Sequence, residues 1–196
     1  MSDEQKETQQ EPDSEPEVIM LRTPVTDDDW SLGPKDAPVE IVEYADYGCT
    51  ECFYAAAAVE KLLEIEGDRV RLIFRHFPIM TKHPSALAQA KAAEAAGAQG
   101  KFWEMHHRLF SILGPVTDEQ IMQFATDLGL DLERFKKDMA SRRIEKKIRA
   151  QRLAGARSGV NGTPRFFFNG IMLQAPGTYE WLKAATDHFA QHHSLH

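Results

Sequence analysis

"VEIVEYADYGCTECFYAAAAVEKLL", residues 39–63, runs from a strand pattern into a helix pattern with two cysteines at the junction. Residues 39–45 are apolar at 39, 41, 42 and 44, on both faces, which suits a central strand better than a half-exposed one. A helix is expected from about Cys49 to Glu66. "RVRLIFRHF" (69–77) reads as a second strand. Strand, helix and strand within about forty residues predict a right-handed βαβ unit with parallel strands.

From Pro84 to about Arg157 the chain keeps helical period and offers no strand. "PSALAQAKAAEAAGAQ" is alanine-rich, and "KFWEMHHRLF" puts Phe102, His106 and Leu109 on one face. Thr117 and Gln120 stand at capping-box spacing, and Asp131 is a fitting N-cap for "LERFKKDM". "RRIEKKIRAQRLAGA" is basic and amphipathic; with no groove-reading motif it is read as a solvated face, not a nucleic-acid helix. "RFFFNGIMLQ" (165–174) predicts a hairpin turning at Asn169-Gly170, and "TYEWLKAATDHFAQHH" a closing helix.

The 196 residues suit one domain with a sizeable core. Net charge is -7, but residues 1–17 hold seven acids and one lysine, so the body is nearly neutral. This Glu-, Gln-, Ser- and Pro-rich stretch has little apolar surface to offset the entropy of ordering, and an acidic disordered tail is expected over 1–22, ahead of a domain over 23–192. Within it "VIML" (18–21) has the pattern of a short edge strand, and "DDDWSLGPKDAP" (27–38) that of a polar approach pinned by Trp30. The start is acidic and polar, where a secretory signal needs a basic start and an apolar core, and no apolar run approaches a membrane span. A cytoplasmic address is expected, periplasmic if the true start lies upstream.

Two cysteines exclude a disulfide-stapled miniprotein and a four-cysteine zinc site. Three readings remain for Cys49 and Cys52: a redox pair, half of a zinc site, or inert core. Zinc needs two more ligands, and His76, His83, His106 and His107 lack finger spacing. A cysteine at a helix N-terminus faces unpaired N–H groups and the positive end of the helix dipole, which stabilise a thiolate. That position belongs to Cys49, the expected exposed nucleophile; Cys52, one turn inside, is the shielded resolving thiol.

The sequence resembles the DsbA-like branch of the thioredoxin superfamily. "EYADYGCTEC" is similar to its strand-to-helix active site, "FRHFPI...HPSALAQAKAAEAAGAQGKFWEMHHRLF" to its second strand and helical insertion, and "SGVNGTPRFFFNG" to its cis-proline loop and hairpin. The resemblance implies an α/β thioredoxin-like fold: βαβ and ββα halves on a mixed sheet, with a helical insertion at about 84–157. It implies a cis bond at Thr163-Pro164, beside the nucleophile, offering backbone groups to an extended substrate peptide. Glu43, six residues before Cys49, matches the branch's buried acid, which would exchange a proton with Cys52. The sequence departs from the branch at Thr50-Glu51, where a proline and a variable residue, often histidine, are usual. Glu51 places negative charge near Cys49, so a less acidic thiol and a more reducing couple than a histidine-bearing site are expected.

The expected activity is thiol:disulfide exchange with protein or peptide disulfides, leaning to reduction or isomerisation. A redox-recycling partner or glutathione is implied, with no metal, organic cofactor, nucleic acid or membrane. Two alternatives stay open: a glutathione-dependent isomerase or transferase on the same scaffold, and a non-catalytic redox-sensing module docking peptides on an exposed "FPIM" (77–80) and the proline loop.

Overall fold

A computed structural model describes residues 18–174 and 176–193. The elements are β1 (Trp30–Leu32), β2 (Val39–Ala45), α1 (Thr50–Glu66), β3 (Val70–His76), five helices α2 (Ala86–Gly97), α3 (Phe102–Leu109), α4 (Asp118–Asp127), α5 (Leu132–Met139) and α6 (Arg142–Arg157), then β4 (Arg165–Phe168), β5 (Ile171–Leu173) and α7 (Tyr179–His193). The sheet order is β1-β3-β2-β4-β5, with β2 and β3 parallel and every other neighbour antiparallel. This is the expected thioredoxin-like architecture, with the helical insertion between its two halves.

β2 is central because both of its faces are apolar. Val39 and Ile41 meet Ala55, Val59 and Leu62 of α1 and Leu182 of α7 on one side. Val42 and Tyr44 meet Ile73, Phe77 and Phe167 on the other. Glu43 has the parity of Val39 and Ile41, and its register partners are Phe74 and Phe166. It thus lies on the α1 side, between two aromatic neighbours.

The hairpin turns where expected. Asn169 (φ 46) and Gly170 (φ 83) both have positive φ, as a type I′ turn requires. The turn is fastened to the start of β2: Asn169 Oδ1 accepts from Glu40 N at 2.7 Å, and Nδ2 donates to Pro38 O at 3.2 Å. The Thr117–Gln120 capping box forms at α4, and Asp131 caps α5.

Three expectations change. Residues 30–32, read as part of a polar approach, form β1 against β3; Trp30 stacks on Phe102 with ring centroids 4.6 Å apart and donates to Glu94 at 2.9 Å. "FPIM" is not an exposed apolar strip: Phe77 and Pro78 are buried, Phe77 edge-on to Tyr44, and only Met80 is exposed. The expected tail over 1–22 lies outside the described residues as far as Glu17. Val18 to Arg22 run beside β5, with a bridge between Met20 and Ile171 and Leu21 N donating to Gly170 O.

Candidate active site

Cys49 is the N-cap of α1, with extended backbone (φ -88, ψ 125), and its carbonyl accepts the first helical bond from Phe53 N. No side chain caps this helix start, so the free N–H groups and the dipole act on the Cys49 sulfur. Both cysteines are reduced. Cys52 is fully buried, but Cys49 is itself only 5% exposed, so the freely exposed nucleophile expected from sequence is corrected. Its cover comes from the segment ahead of β4 and from Glu51. Cys49 Sγ lies 3.4 Å from the Thr163 carbonyl and 3.2 Å from Glu51 Oε2, two acceptors for one thiol proton. The Thr163–Pro164 peptide is cis.

The two thiols are driven apart in acidity. Hydrogen bonding from Cys52 is the main influence that lowers the Cys49 thiol to about 6; burial opposes it, Thr163 helps, and Glu51 raises it. Burial pushes Cys52 well above the ordinary thiol range, and its hydrogen bond to Cys49 adds to this. The Thr163 hydroxyl is buried with no hydrogen-bond partner among the described residues, and its place beside the sulfurs favours the anionic form of both. At neutral pH the site therefore holds one thiolate at the helix tip and one protonated thiol behind it.

Glu43 is 2% exposed, and burial raises its carboxyl to about 8. Among the described residues it makes no hydrogen bond to Cys52 or to any other group. It lines a cavity of about 240 Å³ between α1 and α3, with Phe53, Trp103, His106 and Phe110. Water there could satisfy an otherwise unpartnered acid.

Sequence reasoning passed over Asp46. Its side chain is fully buried and accepts from Gly48 N at 2.8 Å, Ile79 N at 2.7 Å and His83 Nδ1 at 2.8 Å. It fastens the loop before Cys49 to the loop after β3. The one local signal is Asp-x-Gly ahead of a helix start, an Asx turn; its other two partners are more than thirty residues away. Tyr47 was missed too: its hydroxyl is 3.0 Å from His106 Nδ1, inside a cluster with Phe74 and Phe110. Among the described residues no three His, Cys, Asp or Glu side chains converge as metal ligands would.

A cysteine pair at the first turn of a helix, with a cis-proline peptide against the first cysteine at the same end of a mixed sheet, is the arrangement of the thioredoxin fold. The sequence profile of the family described as Thioredoxin matches residues 25–188, and the chain belongs to that family. It is similar to the crystal structure of a thioredoxin-like oxidoreductase from Silicibacter pomeroyi (28% identity, TM-score 0.76, covering 85% of this chain and 94% of that one). It is also similar to the thiol-disulfide exchange protein alpha-DsbA2 from Wolbachia pipientis (25%, 0.69, 81% and 85%). BdbD from Bacillus subtilis, at 20% identity and TM-score 0.72 over 82% of this chain and 92% of that one, shares the fold. Among curated proteins, "Na(+)/H(+) antiporter NhaA 3" of Salinispora tropica is 42% identical over 169 residues, 86% of this chain but 26% of the relative. The chain thus spans about a quarter of the length of such relatives. No described helix is long and apolar enough to cross a membrane.

Proposed function

We propose that the protein exchanges disulfides with protein or peptide substrates through Cys49 and Cys52. The observation that carries this reading is geometric: Cys49 is the N-cap of α1 with its Sγ 3.4 Å from the carbonyl of the cis Thr163–Pro164 peptide, and Cys52 is fully buried one turn behind it. Cys49 thiolate attacks one sulfur of a substrate disulfide, the substrate S–S bond breaks, and its other sulfur leaves as a thiolate. Cys52 then gives up its proton, with Glu43 as the acceptor in the ionised form that it gains toward pH 8, and attacks Cys49 Sγ; the mixed disulfide breaks, the reduced substrate leaves and Cys49–Cys52 is left oxidised. Thr163 and Pro164 offer backbone to the substrate chain. Run backwards, the same steps oxidise.

A thiol of about 6 lies between the most oxidising members of this superfamily, near 3.5, and thioredoxin, near 7. A potential more reducing than about -120 mV is expected, and the lean to reduction or isomerisation applies where the poise of the compartment lies below the pair's own potential. The antiport in the names of the Salinispora relatives is not carried over to this chain, which matches about a quarter of their length.

Insulin reduction with a recycling thiol is expected for the native protein and abolished in Cys49→Ser. Cys52→Ser should accumulate mixed disulfides on a non-reducing gel. Multiple turnover by Cys52→Ser at the native rate would overturn the assigned roles. The glutathione-transferase alternative predicts instead that Cys52 is dispensable, and the docking-module alternative has lost its exposed "FPIM" strip.

A further inference from the structure

A groove beside Cys49, lined by the Glu51 and Thr163 that contact its sulfur, has walls of opposite charge. Glu51, Tyr54 and Ala55 of α1 form one wall, Thr163, Pro164 and Arg165 the facing one, around a space of about 340 Å³. Glu51 and Tyr54, three apart on α1, share a helix face. Glu51 stands nearest the chemistry, with Oε2 3.2 Å from Cys49 Sγ. Its carboxyl is held below the usual range, first by its own backbone N–H and then by the Cys49 thiol, with the charges of His83 and Lys82 adding to this. Once Cys49 is a thiolate its hydrogen bond to Glu51 is lost, but the backbone N–H and the charges of His83 and Lys82 remain, and Glu51 stays an anion during exchange. Arg165 is drawn toward Asn161 Oδ1, 3.4 Å from its Nη2.

Resting on the exchange reading above, we propose that Glu51 is the specificity-determining residue of this groove. It favours disulfides with a cationic group close to sulfur and disfavours anionic ones, glutathione disulfide among them. When Cys49–S⁻ attacks, one S–S bond forms and one breaks, and a single negative charge is spread over three sulfurs in line. A fixed carboxylate beside the first of them repels that charge. A substrate cation within about 7 Å offsets the repulsion, and a substrate carboxylate adds to it, so that one unit charge is worth roughly tenfold in rate in a half-exposed groove. Recycling by a protein partner with basic residues beside its cysteine fits this wall better than recycling by glutathione.

The test uses three disulfides of matched length: cystamine (cationic), hydroxyethyl disulfide (neutral) and 3,3′-dithiodipropionate (anionic). Rate constants for oxidation of the reduced protein are measured at low salt, beside a neutral reference thiol that reports the intrinsic bias of any thiolate. The readout is the cystamine to dithiodipropionate ratio, in which a change of Cys49 acidity cancels. The proposal expects a ratio above that of the reference thiol, a roughly hundredfold fall in Glu51→Gln (about tenfold for each substrate charge), a further fall in Glu51→Lys, and compression of the native ratio in 0.5 M salt. An unchanged ratio in Glu51→Gln overturns it, as does a native preference for the anion, which would put Arg165 in control. If none of the three disulfides oxidises a pair whose Cys49 still alkylates, the exchange reading falls and this inference with it.

Discussion

Burying Glu43 between Phe74 and Phe166 costs the fold stability once the carboxyl ionises, and the cost depends on pH. The group releases its proton near 4.5 in the unfolded chain and near 8 in the folded one. Between those values the folded state holds one more proton, so stability falls as pH rises from about 4.5 to about 8, by on the order of 5 kcal/mol. Glu43→Gln is expected to remove this slope and to be more stable than the native protein at pH 8.5. Urea denaturation at pH 5 and pH 8.5 checks it, and equal slopes in the two proteins would contradict it. At this scale the sequence was most legible where chemistry is local: the Cys49/Cys52 spacing and the acid in an apolar strand stand out unaided. The Thr163-Pro164 loop was legible only through family resemblance. Asp46 was not legible, because two of its three donors come from a loop that only the fold brings near.

Helix α6 crosses the sheet face opposite α1 at a point fixed by Gly155. A Cβ there would stand 2.8 Å from Tyr44 Cε1 and 2.9 Å from Phe77 Cδ2. Both rings are buried, so neither can swing out to make room. Gly155→Ala gains about 1 kcal/mol of helix propensity but must push α6 away from the rings, at a cost of about 1–3 kcal/mol. A net loss is expected, seen as a lower melting temperature; a higher one would mean that α6 shifts freely. Elements with periodicity or turn chemistry of their own were legible, including α1, the insertion helices and the Asn169-Gly170 hairpin. β1 was not. Three residues carry no period, and Trp30–Leu32 is a strand because Trp30 finds Phe102 and Glu94 from the insertion.

Across the whole molecule the insertion and the sheet are joined by buried charge as well as by apolar packing. Glu94 of α2 meets His76 of β3 at 3.1 Å, Trp30 of β1 at 2.9 Å and Lys147 of α6 at 2.8 Å. Burial alone would raise this carboxyl, but hydrogen bonds and charge from His76 and Lys147 outweigh it and hold it at about 2. Its folded value is below its unfolded one, so its contribution is complete above about 4.5 and is lost as pH falls toward 2, on the order of 3 kcal/mol. Glu43 acts in the opposite sense above pH 4.5, and above pH 6 the lowered Cys49 thiol offsets part of that loss. Glu94→Gln, followed by circular dichroism during acid titration, is expected to flatten the loss below pH 4.5; a native-like acid transition would show that the network does not join the two parts. The order of elements was legible at this scale because each is encoded locally. The junction was not, since it depends on four residues from four separate elements.

The central claim is that this fold holds a sulfur anion at low energy on Cys49 while keeping Cys52 protonated. Thiolate absorbance at 240 nm, followed against pH in the reduced protein and with Cys49→Ser as the blank, tests it most directly. One thiol titrating near pH 6 is the predicted result. A first transition at 8.5 or above, the range of an ordinary cysteine, would contradict it.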